Sequence, residues 1–171
     1  IWNGNTSRES LDKLGLYDYP EGELGPGYGY QWIHWGGDWR SGEGGINQIE
    51  NIINTLKTDP FSRRMVLSAW NVSDLEKMAL PPCHLMYIFK VSLDKDDNKV
   101  LNCKVILRSN DMFLGHPFNA VSASILTILV ARCADMIPGK ISLSISDAHI
   151  YQNHIEQVKT QLTREPNETP Y

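Results

Sequence analysis

The stretch Met78-Ala-Leu-Pro-Pro-Cys83-His84 leads directly into an apolar run, Leu85 to Val91, that has the composition of a β-strand. Two consecutive prolines fix two φ angles and remove two N–H donors, so this segment belongs neither to a helix nor to the middle of a sheet. Cys83 is therefore expected on a stiff, extended lead-in at the point where a sheet begins. Its thiolate would be a nucleophile if nearby cations lowered its pKa, whereas a buried thiol would be an inert apolar group.

Length and composition are those of one globular domain. The chain has 171 residues, and its formal net charge of −4 offers no broad basic surface for a nucleic-acid polymer. No apolar run is long enough to span a bilayer. Three widely spaced cysteines argue against a disulfide framework and favour a reducing compartment, the cytoplasm. The sequence contains neither Cys-x-x-Cys nor His-x-x-x-His, so no metal site is predicted.

Hydrophobic spacing predicts helices and strands in an α+β order. Apolar residues at helical spacing predict a helix over 46–57. Apolar runs over 84–92 and 99–107 predict two strands, and the polar run 94–98 between them reads as a hairpin tip. Further predictions are a short helix over 9–14, a strand over 63–70, a helical turn over 73–78, a strand over 141–146 after a Pro138-Gly139 turn, and a last helix ending near Leu162.

Two regions of the chain receive a less regular prediction. Glycines and aromatic residues dominate 1–45, where turns are predicted and a sustained helix after Leu16 is not. Asn119 is predicted to cap a helix over about 119–135. That helix is apolar nearly all round, which is typical of a helix buried in a core or an interface.

Polar side chains gather at the ends of the predicted strands, and together they suit a nucleotide better than a peptide. Arginines with a serine hydroxyl make an anion site through charge-assisted hydrogen bonds. Asn119 presents both a donor and an acceptor, so it can read an amide-like edge such as uracil N3–H and O4. Cys83 and His84 are neighbours on a strand and face opposite ways, which disfavours a hydrolytic dyad from this pair. The candidates are Cys83, Arg63, Arg64, Arg108, Ser109, Asp111, Asn119, His149 and Tyr151.

The adjacent arginines Arg63 and Arg64 pose a geometric problem. Neighbours on a strand point to opposite faces, so both can meet one anion only through an irregular turn. Otherwise one of them serves a different site or a different subunit. The alternative for any such pair is two solvated surface charges.

Four long motifs carry a resemblance to a known family: Ser62–His84, Leu24–Trp32, Arg108–Asn119 and Asp147–His154. In this order they resemble the thymidylate synthases, and together with the intervening residues they cover nearly all of the chain. The resemblance implies one domain, 1–171, with a large mixed sheet packed by a buried central helix and flanking helices. It also implies conversion of dUMP to dTMP with 5,10-methylenetetrahydrofolate in a homodimer.

The resemblance assigns roles residue by residue. Cys83 would add to C6 of the pyrimidine, with Tyr28 and His84 in the proton-handling network near the base. Asp111 would meet the pterin and help to order water, and Asn119 would select the uracil edge. Arg108 and Ser109 would hold the phosphate, together with Arg63 and Arg64 from across the dimer interface. His149 and Tyr151 would bind the ribose, and Asn110 would also lie beside the substrate. The residues that would contact the folate are Trp2, Asp111, Leu114, Gly115 and Phe118.

Three positions depart from the family pattern. Leu107 stands where glutamine is usual, Asn110 where a small residue is commoner, and His116 where an apolar residue is commoner. The run Arg-Ser-Asn-Asp at 108–111 also occurs in the related pyrimidine hydroxymethylases, which finish the reaction with water in place of hydride. A deoxyuridylate hydroxymethylase is therefore an alternative, whereas Asn119 counts against a deoxycytidylate enzyme, which carries a carboxylate there.

The beginning and end of the sequence also differ from the family. The chain starts with Ile1-Trp2 instead of Met, and the family's leading and closing segments are not matched. The leading segment carries a further phosphate-binding arginine and a catalytic glutamate, and the closing segment caps the folate. We therefore expect the sequence to be part of a longer enzyme; a non-catalytic dUMP-binding fragment is the third alternative.

Overall fold

The computed structural model describes residues 2–168, in which a mixed sheet carries helices on one face. The helices and strands in chain order are α1 (Arg8–Lys13), α2 (Tyr28–Ile33), α3 (Gln48–Thr58), β1 (Val66–Ser68), a 3-10 helix (Val72–Lys77), β2 (His84–Leu93), β3 (Lys99–Leu107), β4 (Asn110–Asp111), α4 (Gly115–Cys133), β5 (Ile137–Ile145), β6 (Ala148–His149), a second 3-10 helix (Gln152–His154) and α5 (Ile155–Leu162).

The main sheet has the strand order β1-β2-β3-β5, and a second, two-stranded sheet pairs β4 with β6. The pairs β1–β2 and β2–β3 are antiparallel, whereas β3–β5 is parallel. Parallel neighbours need a crossover connection, and α4 provides it by packing against β3 and β5. The predicted α+β architecture, a mixed sheet with packed helices, is confirmed.

The core lies between this sheet and the helices α3 and α4. Alternate residues of a strand point to the same face, so the buried side chains of β2 and β3 recur at every second position. Full burial of one such aliphatic side chain contributes about 1.5–3 kcal/mol. The main buried members are Leu67, Tyr87, Phe89, Val91, Leu101, Cys103, Val105 and Leu107 from the strands and Ile52, Leu56, Ala123, Val130 and Ala131 from the helices.

Several predicted elements are confirmed to within two residues, namely the helices over 9–14 and 46–57 and the strands over 84–92 and 99–107. The predicted strand over 63–70 is shorter, since β1 covers only Val66–Ser68. The predicted Pro138-Gly139 turn is wrong, because both residues lie inside β5. Proline is tolerated there because β5 is at the edge of the sheet. The chain turns earlier, at Asp135, which has a φ of 54°.

The start of α4 differs from its prediction. The helix begins at Gly115, so Asn119 lies inside it and is not its cap. Pro117 occupies the first turn, where backbone N–H groups have no intrahelical partner and a proline therefore loses nothing. One face of α4 packs on the sheet, while Val121 and Leu129 remain 56% and 58% exposed. The expected burial therefore extends to only one face of α4 in the part of the chain that the structure describes.

The helix α2, Tyr28–Ile33, was not predicted at all. Glycines precede and interrupt it, and its aromatic residues are mediocre helix formers. Its buried residue Gln31 bonds to groups outside the helix, so tertiary contacts hold this turn in place. No helix within residues 2–168 combines the length and apolar character needed to cross a membrane.

Candidate active site

The lead-in to Cys83 is held by hydrogen bonds from two distant parts of the chain. The N–H of Cys83 donates to the Tyr28 hydroxyl at 2.7 Å. The Arg108 side chain donates from Nε to the Pro82 carbonyl and from Nη2 to the Pro81 carbonyl, both at 2.9 Å. The N–H of Arg108 also donates to the Cys83 carbonyl at 3.0 Å. These hydrogen bonds fix the backbone of Cys83, and the residue as a whole is half-buried.

A buried polar network anchors the segment that precedes the prolines. Gln31 of α2 donates to the Asp74 carboxylate at 2.8 Å, and Asn71 donates to the same oxygen at 3.0 Å. Lys77 donates to the other carboxylate oxygen at 2.8 Å. Burial raises the pKa of Asp74, but the hydrogen bonds from Lys77 and Gln31 outweigh that effect, and the pKa is lowered overall. The network joins α2 to the 3-10 helix directly before the Cys83 segment.

Aromatic rings surround the first residue of β2, His84. Its imidazole lies 5.7 Å from the Tyr28 ring, centroid to centroid, and Trp2 stacks on Tyr28 at 6.2 Å. Burial lowers the pKa of His84 and raises the pKa of Tyr28. At neutral pH the imidazole is therefore uncharged and the phenol protonated. The buried Nε2 of His84 has no hydrogen-bond partner among the described residues.

The short sheet of β4 and β6 brings the two polar motifs of the second half of the chain together. Asn110 pairs with Ala148, and Asp111 pairs with His149. This register places Arg108 and Ser109 beside the segment that carries the predicted ribose-binding residues. His149 bonds through Nδ1 to the Asp147 carboxylate at 3.0 Å, and the Tyr151 ring lies 5.1 Å from its imidazole, centroid to centroid.

Asp111, Gly115 and Asn119 adjoin at the start of α4. One Asp111 oxygen accepts from the backbone N–H groups of Phe113 and Leu114 at 3.1 and 3.2 Å, which shapes the turn before the helix. A Cβ at Gly115 would lie 3.4 Å from Cβ of Asp111 and 3.8 Å from Nδ2 of Asn119. The glycine therefore keeps open the space between these two side chains.

A chain of side-chain hydrogen bonds runs behind Asn119. Its Nδ2 donates to Oδ1 of Asn110 at 3.0 Å, and Nδ2 of Asn110 lies 2.9 Å from Nδ1 of His116. Asn110 is only 2% exposed, so water does not replace these contacts. Two of the three positions that depart from the family pattern are therefore in contact with each other. The third, Leu107, is fully buried in β3 opposite His84.

An apolar groove of about 500 Å³ lies between the start of α4 and α5. Leu114 and Phe118, two of the predicted folate contacts, line it and are 45% and 57% exposed. Trp2, another predicted folate contact, does not line this groove and lies against Tyr28. The lining residues are Phe113, Leu114, Pro117, Phe118, Gln157, Thr160, Gln161 and Arg164. Within residues 2–168 no three His, Cys, Asp or Glu side chains are placed to hold a metal ion.

Arg63 and Arg64 do not join this site within one chain. Both are exposed and precede β1, whose Val66 pairs with Ile88 of β2. The Met65 carbonyl accepts from the N–H of Phe89, so the arginines enter β1 beside the second half of β2. Phe89 lies six residues from Cys83 along the strand, a distance of roughly 20 Å.

Sequence reasoning missed the residues that position the site. These partners are far apart in sequence, as with Gln31 and Asp74, or are backbone carbonyls, as with Pro81 and Pro82. Trp70, whose ring lies 5.8 Å below the Arg108 guanidinium, was also missed. Asp147 could have been identified from the sequence as a partner of His149, because it precedes His149 by two residues and both lie in one motif.

Comparison with known proteins gives one consistent family. The family model described as "Thymidylate synthase" matches residues 1–171. The chain is 47% identical to the thymidylate synthase of Herpesvirus ateles and 45% identical to that of Saccharomyces cerevisiae, in each case over 99% of this chain and 59% of the relative. It is 46% identical to the bifunctional dihydrofolate reductase-thymidylate synthase of Leishmania major, over 33% of that protein. The chain thus spans about 59% of the length of the single-function relatives. On this evidence the chain belongs to the thymidylate synthase family.

Proposed function

We propose that this chain carries the nucleophile and the nucleotide-binding part of an enzyme that converts dUMP to dTMP with 5,10-methylenetetrahydrofolate. The observation that carries the proposal is the position of Arg108. Its guanidinium holds the two proline carbonyls before Cys83, and its backbone N–H holds the Cys83 carbonyl. The proposed phosphate-binding cation and the proposed nucleophile are therefore joined in one rigid unit.

The reaction begins with the sulfur of Cys83. The thiolate forms a bond to C6 of the uracil ring, and the electron pair moves onto C5 and O4 as an enolate. C5 then bonds to the one-carbon unit that the folate supplies and loses its proton. Elimination of tetrahydrofolate would leave a methylene group on C5. Hydride from that tetrahydrofolate would then add to this methylene, which gives the methyl group and dihydrofolate as the electron pair shift breaks the S–C6 bond and releases Cys83. Neutral His84 and protonated Tyr28 suit a water network beside the base.

Asn119 is the proposed reader of the base. Asn110 accepts one of its two amide hydrogens, so the other N–H is available for O4 of uracil. The carbonyl oxygen of Asn119 is then available for N3–H. Arg108 with Ser109 would hold the phosphate, and His149 with Tyr151 the sugar hydroxyl.

The proposed folate site is the exposed apolar surface at the start of α4. Leu114 and Phe118 offer exposed hydrophobic surface beside Asp111, and Gly115 leaves room against it. Apolar surface with a single carboxylate suits an aromatic bicycle that carries N–H donors. Trp2 would contribute from the side of Tyr28, on which it stacks.

A homodimer would resolve the position of the two remote arginines. Helices cover one face of the main sheet, and the opposite face presents half-buried or exposed apolar residues at Val66, Met86, Ile88 and Ile106. A second copy stacked on this face would bring its arginines, from the edge of that face, towards a site on its partner.

Free thiols at all three cysteines support a reducing, cytoplasmic compartment.

Release of tritium from dUMP labelled at C5 tests the proposal in the protein expressed from its complete reading frame. Release that requires the folate is expected, and Cys83→Ser should reduce it on the order of 10⁴-fold. Cys133→Ser, which changes an exposed thiol remote from the lead-in, is the matched control and should retain wild-type release. dUMP binding with no release from the wild type would contradict the enzyme proposal and favour a binding protein.

Product mass separates the proposed methylation from hydroxymethylation. Hydride transfer gives dTMP, whereas attack by water would give hydroxymethyl-dUMP. The relatives reported above are all named thymidylate synthases, which favours dTMP.

A further inference from the structure

The side chains of His116, Asn110 and Asn119 form a continuous hydrogen-bonded relay. We propose that His116, acting through Asn110, fixes the amide orientation of Asn119 and is thereby a positioning residue for the choice of uracil over cytosine. The inference rests on the proposed function, since it assumes that Asn119 reads the base. It concerns two of the three positions, 110 and 116, at which this chain departs from the usual family pattern.

The direction of the relay follows from what each atom can do. An amide nitrogen can only donate, so Nδ1 of His116 must accept from Asn110. The His116 ring is then neutral, with its proton on Nε2. This contact turns the Asn110 oxygen toward Asn119, where it accepts from the Asn119 nitrogen. The Asn119 oxygen is thereby left for the ligand.

The same relay disfavours the orientation of the Asn119 amide that cytosine would require. Uracil offers a donor at N3 and an acceptor at O4, whereas cytosine offers an acceptor at N3 and a donor at its amino group. Asn119 could match cytosine only by exchanging its oxygen and nitrogen. Its oxygen would then face the Asn110 oxygen. Rotation of Asn110 would relieve that clash only if the His116 imidazole also moved its proton from Nε2 to Nδ1, because the rotated Asn110 oxygen would otherwise face the lone pair of Nδ1.

Burial makes this resistance effective. Asn110 is 2% exposed, so water does not satisfy an amide left without a partner there. The penalty for one unpaired buried polar group corresponds to about 10-fold or more in binding. Replacement of His116 by an apolar residue removes the acceptor that defines the direction, and both asparagines become free to rotate.

Dissociation constants for dUMP and dCMP test the inference in the protein expressed from its complete reading frame. His116→Leu should lower the preference for dUMP over dCMP by about 10-fold. His116→Asp keeps a group near the position of Nδ1 that can only accept, and it should restore most of the preference. His34→Leu makes the same change at a histidine outside the relay and should leave the preference unaltered. Melting temperatures verify that each variant is folded.

The outcomes separate the inference from the proposed function. An unchanged preference in His116→Leu, or equal weakening for both nucleotides, would overturn the inference and leave the proposed function standing. Nitrogen NMR of His116 adds a readout that needs no ligand: a proton on Nε2 is expected, and a proton on Nδ1 would also overturn it. A wild-type protein that binds no dUMP would overturn the proposed function and the inference with it.

Discussion

The three cysteines differ in chemical character because their surroundings differ. Cys103 is buried in β3, and burial raises the pKa of its thiol to about 11, against a smaller lowering by its hydrogen bond with Thr127. Cys83 is half-buried on its rigid lead-in, and Cys133 is exposed at the end of α4. Near neutral pH, Cys103 is therefore a protonated apolar group, while the other two thiols are open to reagents.

Thiol labelling should distinguish these three residues. We expect iodoacetamide at about pH 8 to modify Cys83 and Cys133 in the native protein and to spare Cys103, because reactivity follows thiolate content and access. Peptide mass spectrometry identifies the modified positions. Saturating dUMP should slow modification of Cys83 and leave that of Cys133 unchanged. Labelling of native Cys103 as fast as Cys133 would contradict the assignment.

For individual residues, the sequence identified candidates for the chemistry but did not predict how their side chains are oriented. Cys83 behind two prolines, and Arg108 at the end of a strand, could be singled out because residue type and local pattern constrain them directly. The contact between Asn110 and His116 could not, since it depends on how the turn before α4 is folded. Asn119 was assigned as a helix cap for the same reason: the pattern does not reveal that the helix starts at Gly115.

Among the secondary-structure elements, the buried polar network around Asp74, here called the clamp, anchors the chain directly before the Cys83 segment. It connects α2 with the 3-10 helix Val72–Lys77 through groups that are mostly buried. A buried carboxylate is stable only when it is paired and hydrogen-bonded, and Asp74 has three donors from three different residues. The clamp therefore depends on the ionised form of Asp74.

Acid titration should reveal this dependence. The folded-state pKa of Asp74 is lowered, so its contribution to stability is present above the unfolded value of about 3.9 and is lost as pH falls through the folded value. Asp74→Asn should reduce the free energy of unfolding by about 1–2 kcal/mol at neutral pH and flatten its fall below about pH 4. Urea unfolding at several pH values measures both. An unaltered acid slope would show that Asp74 is not the group responsible.

The first part of β5 packs closely against β3 at Gly139. A Cβ at Gly139 would lie 2.6 Å from Oδ1 of Asn102 and 2.9 Å from the Leu101 carbonyl oxygen. Gly139→Ala should therefore destabilise the protein by about 1–3 kcal/mol, because the parallel pairing with β3 must move apart. Gly4→Ala, where a Cβ meets no atom within 4 Å, is the control and should leave the urea midpoint nearly unchanged. Equal midpoints for the two variants would refute this account.

Periodicity predicted the elements whose stability comes from one continuous apolar stripe, such as α3, β2 and β3. It failed for α2, because Gly27 and Gly29 are turn signals while the stabilising contacts of Gln31 lie elsewhere in the chain. It also failed at Pro138, because the position of a strand at the sheet edge is a property of the whole topology.

For the whole molecule, the separation between Cys83 and the paired arginines is the feature with the largest consequence. Arg63 and Arg64 precede β1 beside the second half of β2, roughly 20 Å along the strand from their own Cys83. Their neighbouring strand residue Val66 faces the side of the sheet that no helix within residues 2–168 covers, and it is 37% exposed there. If two copies pair through this face, each site is completed by arginines of the other copy.

Mixing two inactive variants tests this arrangement in the protein expressed from its complete reading frame. Cys83→Ser lacks the nucleophile, and the double variant Arg63→Ala with Arg64→Ala lacks the donated cations, so each alone should have little activity. In a mixed dimer one site combines the intact cysteine with the intact arginines. Random exchange of subunits should therefore restore up to about a quarter of the wild-type rate. Because arginines that acted on their own chain would leave every site defective, absence of recovery despite demonstrated subunit exchange would refute the shared site.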